Sequence, residues 1–372
     1  MKKFKYLIIG VVATSLLFIS CNKDEGIEPF PVVPSTTIID FAKVEVEDFI
    51  WKGMNTYYYW KGNVPNLNDS KADNTEEYFN LLNAYSPNPD DFFESLIYQP
   101  ETVDVFSWVG DNYVDRENAS AGIIKSNGVK YRLAYETGSS SDLLGYVRYI
   151  LPNSDASDKD VKRGYVFNAI DGVQLTISNY QDLLAQDTYT MNFADLNGGN
   201  PISNGKSIEL TQVENFRENP NLITKSFDID GTKIGYLMYN GFDTGYDSEL
   251  NASFGQLKTD GVTELVIDLR YNGGGRNSIL QNMASLITGQ FTGQTIIKQK
   301  WNNEWMAWFN ENRPEWLVDT FVDKIRYSDE AGNLIEEALN NLNITNLVVI
   351  TTGSSASASE ALISGLRPYI NV

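Results

Sequence analysis

Apolar positions along the chain change their period three times, and each change predicts a different kind of structure. Val46, Ile50, Met54 and Tyr57/Tyr58 recur at helical spacing, and a second helix begins between Glu76 and Leu82. Short runs rich in β-branched and aromatic residues follow: Tyr131–Tyr135, Gly145–Leu151, Tyr165–Ile170 and Ser207–Val213. Turn signals such as Asp171-Gly172 and Asn197-Gly198-Gly199 separate them, predicting a β-rich body. From Lys233 the pattern becomes α/β. A strand over Ile234–Tyr239 precedes a helix whose face carries Leu250, Phe254 and Leu257. Leu265–Leu269 reads as a buried parallel strand, Ser278–Ile287 as a helix, and Leu347–Ile350 as the last strand. Residues 290–343 interrupt this rhythm with Trp301, Trp305, Trp308 and Trp316.

The ends of the chain carry different signals. Lys2, Lys3 and Lys5 precede an apolar stretch from Leu7 to Ile19, too short to span a bilayer and typical of an export signal. Cys21 ends that stretch, preceded by Leu17-Phe18-Ile19-Ser20 and followed by Lys23-Asp24-Glu25. This arrangement resembles the signal of Bacteroidetes lipoproteins, implying cleavage before Cys21, lipid modification there, and display in the cell envelope at the outer membrane. Residues 22–40, rich in proline and acids, read as a tether. Asn66–Glu77 lacks the glycine-centred calcium-loop pattern and reads as a solvated loop.

Composition narrows the chemistry. The 372 residues include no histidine and one cysteine, so a histidine-based triad, a histidine metal site and an intrachain disulfide are all excluded. A net charge of -20 argues against a nucleic-acid partner. No residue clustering points to a metal or organic cofactor. Acid–base chemistry is left to carboxylates, lysine, tyrosine or water.

Two motifs stand where chemistry is expected. Asp268-Leu269-Arg270-Tyr271-Asn272-Gly273-Gly274-Gly275 joins a strand to a helix. Its glycines can aim backbone N–H groups at negative charge, but the Gly-x-Gly-x-x-Gly and P-loop signatures are missing, which leaves an oxyanion hole as the smaller target. Thr351-Thr352-Gly353-Ser354-Ser355-Ala356-Ser357-Ala358-Ser359-Glu360 also joins a strand to a helix. Alone it fits either a nucleophile turn or a serine N-cap with Glu360 as capping partner. The aromatic cluster Trp51, Tyr57, Tyr58, Tyr59 and Trp60 likewise fits helix packing or a ligand platform.

Together, in this order and separation, the two motifs resemble the carboxyl-terminal processing peptidases, the tail-specific and tricorn-like serine peptidases. Leu151–Leu175, with Pro152-x-Ser154, a short helix expected to end at Gly164, and a strand closing in Ile170-Asp171-Gly172, resembles a circularly permuted PDZ domain. The resemblance implies a multidomain α/β protein: an aromatic-rich helical domain over 41–102, a PDZ-like peptide-binding domain over 103–216, and over 217–372 a peptidase core of the ClpP/crotonase-like type. It implies Ser357 as nucleophile, Ser359 not, and an oxyanion hole from the N–H groups of Ala358 and Gly274, with Gly275 as second choice. Its substrates would be proteins or peptides engaged through their C-termini. The general base implied is a lysine some two dozen residues beyond the nucleophile. Only 15 residues follow Ser357, and their sole basic side chain is Arg367, so the sequence is expected to be a C-terminally truncated piece lacking its base. The competing readings are a catalytically inactive peptide-binding lipoprotein, and a small apolar ligand bound near Trp301–Trp316.

Overall fold

The computed structural model describes residues 39–372 apart from Asp111 and Glu330. The segment read as an export signal, Cys21 and nearly all of the expected tether lie outside the described residues. Among the described residues no helix is long and apolar enough to cross a membrane.

Buried side chains gather in three separate clusters. The first is helical. Helix α1 (Glu45–Tyr57) buries Ile50 and Trp51 against Tyr78, Phe79 and Leu82 of α2 (Thr75–Asn83), while Val46 on the predicted apolar face is exposed. Asn74 starts α2 by accepting hydrogen bonds from the N–H groups of Glu76 and Glu77, which fixes the end of the expected loop. That loop also contains two short 3-10 turns, Pro65–Leu67 and Asp69–Lys71.

The second cluster lies on an antiparallel sheet. Its strands are β1 (Val129–Tyr135), β2 (Leu143–Ile150), β3 (Val166–Ile170), β4 (Thr188–Asn197) and β5 (Asn200–Thr211), in spatial as well as chain order, with Val173–Gln174 added beside β3. Tyr189, Met191 and Phe193 of β4 alternate into this core. The helix expected to end at Gly164 is only a 3-10 turn, Asp155–Asp158: Ser154 and Ser157 cap its start, and the backbone turns extended at Lys159.

The third and largest cluster is α/β. Four strands run in the order β9-β8-β7-β6: Leu347–Ile350, Glu264–Asp268, Thr232–Tyr239 and Asn221–Ile229. β6 is antiparallel to β7, while β7, β8 and β9 are mutually parallel, with Met238 opposite Asp268 and Asp268 opposite Ile350. Helices α3 (Asp247–Thr259), α4 (Asn277–Thr288) and, after an excursion carrying α5 (Asn303–Asn312), α6 (Ala358–Leu366) bury Leu250, Phe254, Met283 and Leu362 against this sheet. Asn371 pairs in parallel with Asn346 just before β9. Three parallel strands place the loops that follow them on one edge of the sheet. Ligand sites of open α/β sheets lie at that edge.

Candidate active site

Those loops are 240–246, 269–276 and 351–357, and they interlock. Phe242 donates its N–H to the Gly274 carbonyl (2.8 Å), and Arg276 donates its N–H to the Phe242 carbonyl (2.8 Å). The hydroxyls of the serine-rich run then bind successive carbonyls of the glycine turn. Ser355 Oγ donates to Leu269 (2.7 Å), Thr352 Oγ1 to Arg270 (2.6 Å) and Ser359 Oγ to Asn272 (3.0 Å). The repetitive composition of that run therefore has a purpose: it satisfies the buried backbone of its neighbour.

Ser357 stands apart from this pattern. Its hydroxyl makes none of the bonds to the glycine turn, and the residue is exposed, whereas Ser359 is fully buried. Ser357 has φ +53° and ψ −116°, a conformation costing an L-residue about 1–3 kcal/mol. The local structure holds it there. Its N–H donates to Glu360 Oε2 (3.0 Å) and its carbonyl accepts from Ala361 (2.9 Å). The Glu360 arm of the capping arrangement is thus present, and it coexists with an outward-facing serine.

Opposite lies Gly274. A Cβ built on it would fall 2.7 Å from Ser357 Cβ and 3.0 Å from Ala358 N, and its φ is +108°, so only glycine fits. Ala358 begins α6 and its N–H has no acceptor within the helix, as expected of an N-terminal amide. The Gly274 N–H is engaged: it donates to Asn272 Oδ1 at 2.8 Å. Asn272, completely buried, also donates Nδ2 to the Tyr239 carbonyl (2.9 Å), tying the glycine turn to the end of β7. In this conformation the expected donor Gly274 is occupied, while the adjacent Gly275 N–H has no acceptor among the described residues.

The base of the site is set by Asp268. It is fully buried, and burial alone would raise its pKa, but Arg270 and the Tyr236 hydroxyl (2.6 Å) outweigh that and hold it below the usual carboxylate range. Arg270 grips both carboxylate oxygens through Nε at 3.0 Å. The β-rich sheet reaches this edge too: Arg148 and Arg132 donate to Ser354 Oγ (3.2 and 3.4 Å), and Tyr149 stacks on Tyr271 at 5.5 Å.

Beside the glycine turn opens a cavity of about 550 Å³, walled by Asn240, Phe242, Asp243, Gly274, Gly275 and Arg276 among others. Both polar atoms of the Asn240 side chain are buried without partners. Burial and the nearby Glu218 carboxylate push Asp243 up to about 6, against a smaller opposing pull from Lys130. Sequence reasoning missed Asn240 and Asp243. The signal available was their place just after a buried parallel strand. Among the described residues no group of three or more histidine, cysteine or acidic side chains gathers where it could hold a metal ion.

A serine of strained backbone at a helix N-terminus thus faces a glycine turn across the ends of parallel strands, a strand–turn–helix setting in which a nucleophile can be held. The peptidase family S41 profile matches residues 233–370, and the peptidase S41 N-terminal domain profile matches residues 45–108. The chain belongs to peptidase family S41, a family of serine peptidases. It is 24% identical over 252 residues to the chloroplastic C-terminal processing peptidase of Tetradesmus obliquus, covering 64% of this chain. It spans about half, 48%, of that relative's length. A crystal structure from Bacteroides fragilis NCTC 9343, assigned to the S41 proteases, shares the fold with a TM-score of 0.59 and 21% identity, covering 87% of this chain and 76% of that one.

Proposed function

We propose that this chain carries the nucleophile, Ser357, of an exported serine endopeptidase of the C-terminal processing type. The observation that carries the reading is the strained, exposed Ser357 held against Gly274 while its neighbours Ser355 and Ser359 are spent on backbone bonds. In the reaction, Ser357 Oγ attacks the scissile carbonyl carbon and gives its proton to a general base. The carbonyl oxygen becomes an oxyanion that accepts from the Ala358 N–H at the start of α6. Gly275 supplies the second amide, or Gly274 does so once Asn272 releases it. The base is a lysine, on the family resemblance, and it lies outside residues 358–372, which hold only Arg367.

The same reading assigns the sheet β1–β5 to a PDZ-like domain that receives peptide C-termini, and β6–β9 with α3, α4 and α6 to a ClpP/crotonase-like core. Cys21 is its lipid anchor in the cell envelope. The second reading, a catalytically inactive peptide binder, draws on the occupied Gly274 amide.

The full-length protein should cleave unfolded, carboxymethylated casein. Ser357→Ala should reduce the rate at least about 10³-fold, whereas Ser359→Ala should leave substantial activity. Full activity in the Ser357 variant would remove the nucleophile assignment. Absence of cleavage with retained peptide binding would establish the second reading.

A further inference from the structure

The chemistry above makes no use of the two aromatic clusters of the sequence, and the fold brings them to one place. Tyr57 lies flat on Trp305, with centroids 5.8 Å apart and an interplanar angle of 9°. Trp305 Nε1 donates to the Thr56 carbonyl (2.8 Å). Asn302, only 5% exposed, donates Nδ2 to the carbonyls of Thr56 (2.9 Å) and Tyr58 (3.4 Å) and accepts from the Trp305 N–H (3.0 Å). Lys61 is buried in the same seam, its Nζ bound to Asp69 (2.8 Å) and Glu304 (2.6 Å).

This seam frames a cavity of about 650 Å³, larger than the one beside the glycine turn. Tyr59, Trp60 and Trp301 line it, together with Asn63, Asn68 and Asn303. Tyr59 is 47% exposed, and Trp301 Nε1 is buried without an acceptor. Rings and primary amides share a wall that fixed hydrogen bonds have already shaped.

We propose that this cavity binds a neutral saccharide. The charge pattern excludes the alternatives. An anion would face Asp69 and Glu304, and a cation would have to displace Lys61 from both carboxylates. A purely apolar ligand would cover the amides of Asn63 and Asn303 and give them no partner. A sugar ring matches both parts of the wall: its C–H faces lie on aromatic rings, and its hydroxyls donate and accept with amides and with Trp301 Nε1. Peptide capture normally uses the unpaired backbone of a strand edge. Here the walls come from the 3-10 turns Lys61–Asn63 and Pro65–Leu67 and the start of α5. Because Asn302 and Trp305 hold the two sides together without a ligand, little ordering cost opposes binding.

The test is titration calorimetry of the full chain with cellohexaose, maltohexaose, xylohexaose, mannohexaose and chitohexaose at millimolar concentration. At least one should bind. Tyr59→Ala and Asn63→Ala, both at exposed positions, should each weaken it about fivefold or more, and Trp60→Ala should weaken it more strongly. Ser357→Ala should bind unchanged, which separates this site from the peptidase reading. No binding of any of the five, or binding that both exposed variants leave intact, overturns the proposal. Binding of carboxymethylated casein that Tyr59→Ala weakens, with no saccharide bound, would overturn it in favour of a peptide exosite.

Discussion

The serine junction and the aromatic junction both join segments far apart in the chain, but they do so by different physics. Between the glycine and serine turns, three hydroxyl–carbonyl bonds, the two bonds of Asn272 and one obligatory glycine set atom positions. Between α1 and α5, a ring stack joined by the Asn302 and Trp305 side-chain bonds and the Lys61–Glu304 pair sets the contact, leaving ring faces exposed to a cavity. Hydrogen bonds are directional within tenths of an ångström, whereas ring contacts tolerate sliding. Attack at a carbonyl requires the first kind of junction; recognition of a ligand's face needs only the second.

Substitutions can break this contrast at graded cost. The largest effect should come from Gly274→Ala, whose methyl group would overlap Ser357 Cβ on a backbone of φ +108°. A loss of about 3–5 kcal/mol in urea unfolding is expected, together with loss of activity. Asn272→Ala should follow at about 2–3 kcal/mol, since it strands the Tyr239 carbonyl and the Gly274 N–H in the interior. If that variant instead gained activity, release of the Gly274 amide would be the step that opens the oxyanion hole.

The titration of the two junctions should also differ. Asp243 has a folded pKa of about 6, above its unfolded value near ~3.9. The folded state therefore holds the proton more tightly, and the associated stability is full below about pH 4 and lost as pH rises through about 6. Asp243→Asn should be neutral at pH 4 and stabilise by about 1–2 kcal/mol at pH 8. Equal unfolding midpoints at pH 8 would contradict the buried carboxylate. At the aromatic junction the sign reverses: Lys61 holds Asp69 below the usual carboxylate range, so that contribution is present at neutral pH and fails only as pH falls below about 4. The smallest effect should be that of Tyr57→Ala, about 1 kcal/mol for an exposed ring stacked on Trp305.

Much of the core was legible because its signals are local. The helix over 278–287 corresponds to α4, Asn277–Thr288, since Gly289 supplies the left-handed stop that its sequence announces. The strand at β9 lies where its unbroken apolar run predicts. Strand β4 was overlooked although Tyr189, Met191 and Phe193 alternate strictly with Thr190 and Asn192, the period-two signal of a half-buried strand. The expected helix before Gly164 stops after one turn, where the Ser157 hydroxyl donates to the Ser154 carbonyl and the backbone turns extended at Lys159, a local competition that helical spacing does not reveal.

The sequence by itself determined the elements and the residue types available for chemistry. It excluded histidine, and it placed a serine and a glycine cluster each between a strand and a helix, because those preferences are written in a few neighbouring residues. Only the tertiary structure decided which hydroxyl is kept out of the bonds to the glycine turn. Ser355 and Ser359 are spent on carbonyls 86 and 87 residues away, and Ser357 faces outward because Gly274 leaves room for it. Likewise, only folding brought Trp60 and Trp301 to one cavity. Local pattern fixes what a segment becomes; which of its groups remain unsatisfied depends on partners that the chain supplies from elsewhere.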